Sequence, residues 1–159
     1  YDISLGVHYH MRRQKFFESW HRMTGVFSLI FSTSAVATIT NQVEIGTLLA
    51  ALVAILQSID LMVDTRGKSL MHNELRQKYL ALNAKLISFG EQVTVKQKQN
   101  LFKEKNAIEI TEPPVNKLLL EICHNDVLRV LGGNEKEKVK IPWIKKNTVN
   151  IIPWNSCAK

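Results

Sequence analysis

Residues 20–64 decide the fold and read WHRMTGVFSLIFSTSAVATITNQVEIGTLLAALVAILQSIDLMVD. Residues 23–40 carry no charge over eighteen positions, and residues 45–59 carry none over fifteen. A helix rises about 1.5 Å per residue, so seventeen residues reach roughly 26 Å, a little short of the roughly 30 Å hydrocarbon core of a bilayer. We therefore predict two short membrane spans, at about residues 23–40 and 45–63, joined by a tight link into a hairpin.

The alternative is a buried helix pair inside a soluble helical bundle. Helices of such bundles normally keep one polar face, because only one stripe of the helix is covered. The second stretch instead has apolar side chains all round, at Leu48, Leu49, Leu52, Val53, Ile55 and Leu56. The membrane interpretation is therefore favoured over the soluble bundle.

Basic residues flank both stretches, whereas the link at residues 41–44 has Glu44 as its only charge. The flanking basic residues are Arg12, Arg13, Lys15, Arg22, Arg66, Lys68, Arg76 and Lys78. Positively charged loops stay on the cytoplasmic side of a membrane. We expect a multi-pass protein of the inner membrane with both termini cytoplasmic.

Small residues recur every four positions along the second stretch, at Gly46, Ala50, Ala54 and Ser58. In lipid, close backbone approach and van der Waals contact drive helix association. The row predicts a helix-packing interface, either within the hairpin or between hairpins of a homo-oligomer, and the sequence leaves both open.

Three polar side chains, Gln57, Asp60 and Asp64, lie near the end of the second span. Ionisable groups at membrane depth are costly and tend to face a cavity or a partner. One hypothesis places both carboxylates simply in the headgroup layer. The other places all three residues at the cytosolic mouth of an oligomeric pore, where they would attract cations.

Apolar periodicity predicts a cytosolic helical bundle after the hairpin, so the chain as a whole is predicted to be all-α. A stripe at Leu75, Tyr79, Leu82, Leu86 and Phe89 predicts a helix that packs on the first helix and ends near Gly90. A polar helix is expected over residues 91–110, and an amphipathic helix follows Pro113 and Pro114 over residues 115–131.

The C-terminal segment differs in kind, and we predict a domain over residues 1–133 followed by an irregular basic tail over residues 134–159. The tail contains Ile-Pro-Trp twice, beginning at Ile141 and at Ile152, among several Lys residues. Such a mixture either rests at a membrane interface or packs on the cytosolic helices.

Recognisable enzymatic chemistry is missing from the sequence. Two Cys exclude a disulfide scaffold, the His and Cys spacings match no metal site, and neither a phosphate-binding Gly-rich loop nor a GxSxG motif occurs. We expect no enzyme activity, no cofactor and no metal. The net charge of +7 indicates an anionic partner. A lipid bilayer explains it better than nucleic acid, because the basic residues cluster beside the apolar spans.

The order of these parts resembles the SLATT family, the two-transmembrane effector domains of prokaryotic conflict and nucleotide-signalling systems. The resemblance covers roughly residues 9–131 and rests on this layout together with Trp20, Glu112-Pro113-Pro114 and Asn125. It implies a non-enzymatic effector that oligomerises and permeabilises the inner membrane of a phage-infected cell when a protein or nucleotide-signalling partner is activated.

Two other functions are compatible with the sequence. In the first, the hairpin only anchors an adaptor whose cytosolic helices bind a protein partner. In the second, the chain is a soluble basic helical module that binds nucleic acid through its net charge.

Overall fold

The computed structural model describes residues 1–39, 42–90, 92–152 and 154–157, and within these ranges the chain is all-α, as predicted. The described α-helices are α1 (Asp2–Thr38), α2 (Val43–Val63), α3 (Thr65–Ser88), α4 (Val95–Ile110), α5 (Lys117–Val130) and α6 (Trp143–Thr148). A short 3-10 helix, Glu135–Glu137, lies between α5 and α6. Thr40 of the first predicted span, Asn41 of the link and Pro153 of the second Ile-Pro-Trp lie outside the described residues.

The chain forms two compact units: unit 1 comprises Tyr1–Arg13 and His72–Lys159, and unit 2 comprises Gln14–Met71. The long helices α1 and α3 each contribute one part to unit 1 and the other part to unit 2.

In unit 2, the later part of α1 contacts α2 along a narrow polar and small-residue seam. Gly46 is buried, and a Cβ built there would lie 3.1 Å from Ile39 Cα and 3.2 Å from the carbonyl oxygen of Ala35. Further along α2, Gln57 Nε2 donates a 2.7 Å hydrogen bond to Ser28 Oγ. Residue numbers rise along α2 as they fall along the contacting part of α1, so α1 and α2 are antiparallel in unit 2.

Large apolar side chains of unit 2 point away from this seam and are exposed. On α1 they are Met23, Val26, Phe27, Leu29, Ile30 and Val36, and on α2 they are Val43, Ile45, Leu48, Leu52, Ile55, Ile59, Leu61 and Met62. Among the described residues, one helical stretch, Val43–Ser88, which comprises α2 and α3, is long and apolar enough to cross a membrane, and 6% of its most apolar window of 18 residues is buried. Of the described part of the first predicted span, residues 23–38 are helical, because α1 ends at Thr38.

Unit 1 has a conventional hydrophobic core. Its buried residues are Tyr9, Leu118, Leu119, Ile122, Cys123 and Val149, with Leu5, Leu120, Ile141, Trp154 and Cys157 packed against them. As the stripe on α3 predicts, Leu75, Tyr79 and Leu82 are buried. Gly6 of α1 lies under the Tyr79 ring, where a Cβ would come within 2.8 Å of ring carbons, so the first helix and the stripe are in close contact.

The ends of the helices follow local chemistry. Gly90 follows α3 with a φ of +69°, a left-handed conformation that side chains other than Gly rarely adopt. A capping box between Thr94 and Gln97 begins α4. This helix was predicted to be polar, but it buries Leu101 and Ile108.

The segment predicted as an irregular tail carries the 3-10 helix and α6 and packs on α5. Val149 is 1% exposed, and its carbonyl oxygen accepts a 2.9 Å hydrogen bond from Asn116 Nδ2. Asn125 makes a reciprocal pair of bonds with the backbone of Val139, at 2.8 and 2.9 Å. Residues Asn116 and Asn125 of the α5 region therefore supply the polar contacts that a chain without regular structure needs.

Candidate functional site

Asp60 is one of the three residues predicted at the pore mouth, and its carboxylate is bonded within unit 2. Its Oδ2 lies 2.9 Å from Nδ1 of His21, and its side chain is 13% exposed. The other oxygen, Oδ1, accepts a hydrogen bond from the hydroxyl of Thr65 and lies 3.4 Å from Thr24 Oγ1. Asp60 is therefore bonded to both α1 and the start of α3 within unit 2.

The other two predicted pore residues have different surroundings. Gln57 lies one turn before Asp60 and bonds to Ser28 of α1. Asp64 lies outside α2 in a left-handed conformation with a φ of 50°, and its Oδ1 accepts a 3.1 Å hydrogen bond from the backbone N–H of Gly67. The structure thus places Gln57 and Asp60 together on the α1-facing side of α2, whereas Asp64 caps the first turn of α3.

The row of small residues on α2 is divided by the fold. Gly46 packs against α1, whereas Ala50, Ala54 and Ser58 are exposed. Ser58 Oγ donates a 2.7 Å hydrogen bond to the carbonyl of Ala54, so its hydroxyl is satisfied within the helix. Gly46 therefore fits packing within the hairpin, because it contacts α1. Ala50, Ala54 and Ser58 face outward and are open to contact with another copy.

A second polar cluster lies in unit 1, where the sequence analysis predicted none. His10 and His72 are buried, with 2.9 Å between their Nδ1 atoms. Nε2 of His10 lies 3.2 Å from Glu112 Oε1, and the Tyr79 hydroxyl donates a 2.6 Å bond to the same oxygen. In the sequence, Glu112 stands out only as part of Glu-Pro-Pro, and no spacing or motif connects it with His10 or His72.

The contact with Glu112 gives Nε2 of His10 a defined role. An ionised Glu112 only accepts hydrogen bonds, so Nε2 of His10 must carry a hydrogen. Although partial burial acts in the opposite direction, hydrogen bonds from His10 and Tyr79 hold the pKa of Glu112 below its ordinary value. Burial raises the pKa of the Tyr79 hydroxyl, and the hydrogen bond to Glu112 raises this pKa further.

A cavity of about 260 Å³ adjoins the cluster. Its walls include Leu5, Gly6, Val115 and Leu120. Lys105 and Glu109 also line it, and they form an ion pair at 3.0 Å. Among the described residues no group of three or more His, Cys, Asp or Glu side chains could hold a metal ion. The cluster joins α1, α3 and the α4–α5 connection, which is a structural role.

Comparison of the chain with family models, with curated proteins and with solved structures finds no match. The class of protein is therefore defined by fold and surface alone. In the part of the chain that the structure describes, the protein is all-α and has one helical stretch that is long and apolar enough to cross a membrane, with 6% of its most apolar window buried.

Proposed function

We propose that this chain is a membrane-embedded effector whose unit 2 crosses the inner membrane as a two-helix hairpin, assembles with further copies and permeabilises the bilayer. The observation that carries the proposal is the exposure of large apolar side chains around α2, such as Leu48 at 62% and Ile55 at 56%. Soluble monomers rarely expose contiguous apolar patches of this kind. Lipid tails can contact the apolar side chains on all sides of a helix at once.

The hydroxyl groups of unit 2 support the same placement. Polar side chains in a hydrocarbon environment need internal hydrogen bonds, because no water is present to supply them. Hydroxyls bond to the carbonyl one turn earlier in the same helix at Thr33, Ser34, Thr38, Thr47 and Ser58, with distances between 2.7 and 2.9 Å. These five hydroxyls can therefore lie in lipid without being left unpaired.

The exposed part of the small-residue row is the surface we assign to assembly. Ala50, Ala54 and Ser58 let a helix of another copy approach the backbone of α2 closely. Gly46 supports the hairpin itself. The resemblance to SLATT effectors supplies the biological setting, an antiviral response started by a protein or nucleotide-signalling partner.

Replacing Ala50 and Ala54 together by Leu tests this surface. Overpacking costs about 1–3 kcal/mol per substitution, so two substitutions should raise the oligomer dissociation constant at least about 30-fold. The span stays apolar and should still insert. The particle mass of the detergent-solubilised protein and dye leakage from vesicles measure the two consequences, and both should fall together.

The matched control replaces Thr47 and Ala51 by Leu, two exposed positions of α2 outside the row. This control should keep oligomer size and leakage. If the Ala50 and Ala54 variant keeps its mass and its leakage as well, copies assemble through another surface.

Charge selectivity tests the permeation part of the proposal. Asp60→Asn with Asp64→Asn removes two carboxylates from one end of α2 while leaving oxygen acceptors for Thr65 and Gly67. The preference for cations over anions should fall about fivefold, which corresponds to about 1 kcal/mol for a charge pair near 4 Å in water. Reversal potentials across planar bilayers measure this ratio. Glu44→Gln, at the other end of α2, is the control, and unchanged selectivity in the double variant would place Asp60 and Asp64 away from the ion path.

A membrane-anchored adaptor is the second candidate. The observation that favours it is that Gln57 and Asp60 bond within unit 2, to Ser28, His21, Thr24 and Thr65. An anchor needs no further partner for these groups, whereas a pore must expose some of them to water. A purified oligomer that passes neither ions nor dye under any trigger would support the adaptor against the effector.

A further inference from the structure

The last part of unit 1 has an unusual charge composition. Residues 138–157 contain four Lys and no Asp or Glu, in a chain that has 14 acidic residues. The Lys residues are Lys138, Lys140, Lys145 and Lys146. Lys138 pairs with Glu135, which lies just before the segment, so Lys140, Lys145 and Lys146 supply the positive charge that a ligand of this surface meets.

One side of the segment is held firmly by the protein. Val149 is buried in the core, and Trp154 packs beside it. Trp154 Nε1 donates a 2.8 Å hydrogen bond to Thr148 Oγ1, and the Lys145 ammonium lies 5.6 Å from the centre of the Trp154 ring. These contacts fix which side chains turn outward.

The outward side combines large apolar groups with Lys. Trp143 is 76% exposed, Ile144 is 63% exposed and Ile151 is 66% exposed, while Lys140 and Lys146 are exposed beside them in the chain. We call these five residues the α6 patch. The two Ile-Pro-Trp repeats thus differ in burial: Trp154 packs on the core, whereas Trp143 points to solvent.

We propose that the α6 patch binds the surface of an anionic bilayer, with Lys140 and Lys146 on lipid phosphates and with Trp143, Ile144 and Ile151 among the headgroups. Trp is enriched at membrane interfaces because its ring is apolar and its N–H is polar. Lys residues near an anionic leaflet each contribute about a fivefold preference for the surface. The inference rests on the proposed function, which keeps the chain at a bilayer.

Nucleic acid fits the patch less well. Single strands bind on platforms of aromatic rings that stack on successive bases. The patch has one exposed ring, Trp143, and two aliphatic side chains, Ile144 and Ile151, on which bases do not stack. Exposed aliphatic groups next to Lys match a lipid interface instead.

The test uses an environment-sensitive dye on the full chain. Ile144→Cys in a Cys157→Ser background provides one reactive thiol, since Cys123 is fully buried and burial raises its pKa to about 12. The labelled protein is reconstituted into phosphatidylcholine vesicles and into vesicles that also contain phosphatidylglycerol. The dye should shift to the blue and resist aqueous iodide only with phosphatidylglycerol, and added salt should reduce the effect.

Substitutions assign the effect to the patch. Lys140→Gln with Lys146→Gln should lower the bound-to-free ratio about 25-fold, from two fivefold terms. Lys96→Gln with Lys103→Gln, two exposed Lys of α4, should leave it unchanged. Equal shifts in both vesicle types, a shift caused by added oligonucleotide, or no shift at all would each overturn the inference. Resistance of the same protein to alkaline extraction from membranes reports on α2 separately, so failure of the patch is distinguishable from failure of the proposed function.

Discussion

Under the proposed membrane placement, replacing Ile55 by Lys is expected to stop α2 from staying inserted in the bilayer. Ile55 lies near the middle of α2 and is 56% exposed. A Lys at the centre of a spanning helix costs about 2.5–3.5 kcal/mol, and the favourable contribution of Ile is lost as well. The equilibrium between inserted and non-inserted chain should therefore shift about 100-fold or more. Alkaline extraction of membranes from expressing cells, with the pellet and supernatant compared, measures the shift.

If α2 lies in water instead, the same substitution is expected to have little effect. An exposed apolar residue replaced by Lys on a soluble helix changes stability by about 0.5 kcal/mol or less. Leu70→Lys is the matched control, because Leu70 is also 56% exposed but lies on α3, outside the predicted span. If the Ile55→Lys and Leu70→Lys proteins fractionate alike, α2 is not surrounded by lipid and the soluble alternative gains support.

Replacing Glu112 by Ala is expected to lower the free energy of unfolding of unit 1 by about 2–6 kcal/mol at neutral pH, because two buried donors lose their acceptor. The substitution removes the acceptor for both His10 and Tyr79, whose rings lie at the contact of α1 with α3. His10 is fully buried, and the Glu112 side chain is 12% exposed, so water does not readily replace the lost bonds. Amide hydrogen exchange of α3 and α5 in the detergent-solubilised chain measures the loss.

Acid provides the control for this interpretation. Because the pKa of Glu112 is lowered in the folded chain, its carboxylate contributes stability above its ordinary pKa of about 4.5, and this contribution is lost as the pH falls through the lowered value. The difference between the parent chain and Glu112→Gln should therefore be full at pH 7 and vanish in acid. Glu109→Ala, which removes a more exposed partner of Lys105, should cost about 1 kcal/mol or less. A Glu112→Gln protein as stable as the parent at pH 7 would contradict the role assigned to the carboxylate.

Much of the secondary structure follows from local sequence. The 3- and 4-residue spacing from Leu75 to Leu82 predicted a buried helical stripe, and these residues are buried. Gly90 was predicted to end that helix, and its positive φ confirms this. Local patterns succeed here because hydrogen bonds, caps and backbone conformations of helices involve residues only a few positions apart.

Side-chain partners across the fold could not be predicted in the same way. His10 and His72 are 62 residues apart, and Glu112 is 102 residues from His10. No periodicity connects them, since their contact exists only when α1, α3 and the end of α4 pack together. Trp143 and Trp154 each end a copy of the tripeptide Ile-Pro-Trp, yet only packing against the core of unit 1 decides that Trp154 is the one turned inward.

The sequence by itself determined an all-α chain with an uncharged, apolar second stretch, because helix periodicity and hydropathy depend on short segments. Only the tertiary structure decided that Gly46 packs within unit 2 while Ala50, Ala54 and Ser58 stay open, and that Asp60 bonds to His21 and Thr65. The physical reason is that contacts depend on which helix lies beside which, and a single helix face offers the same side chains to lipid, to a neighbouring helix or to another copy.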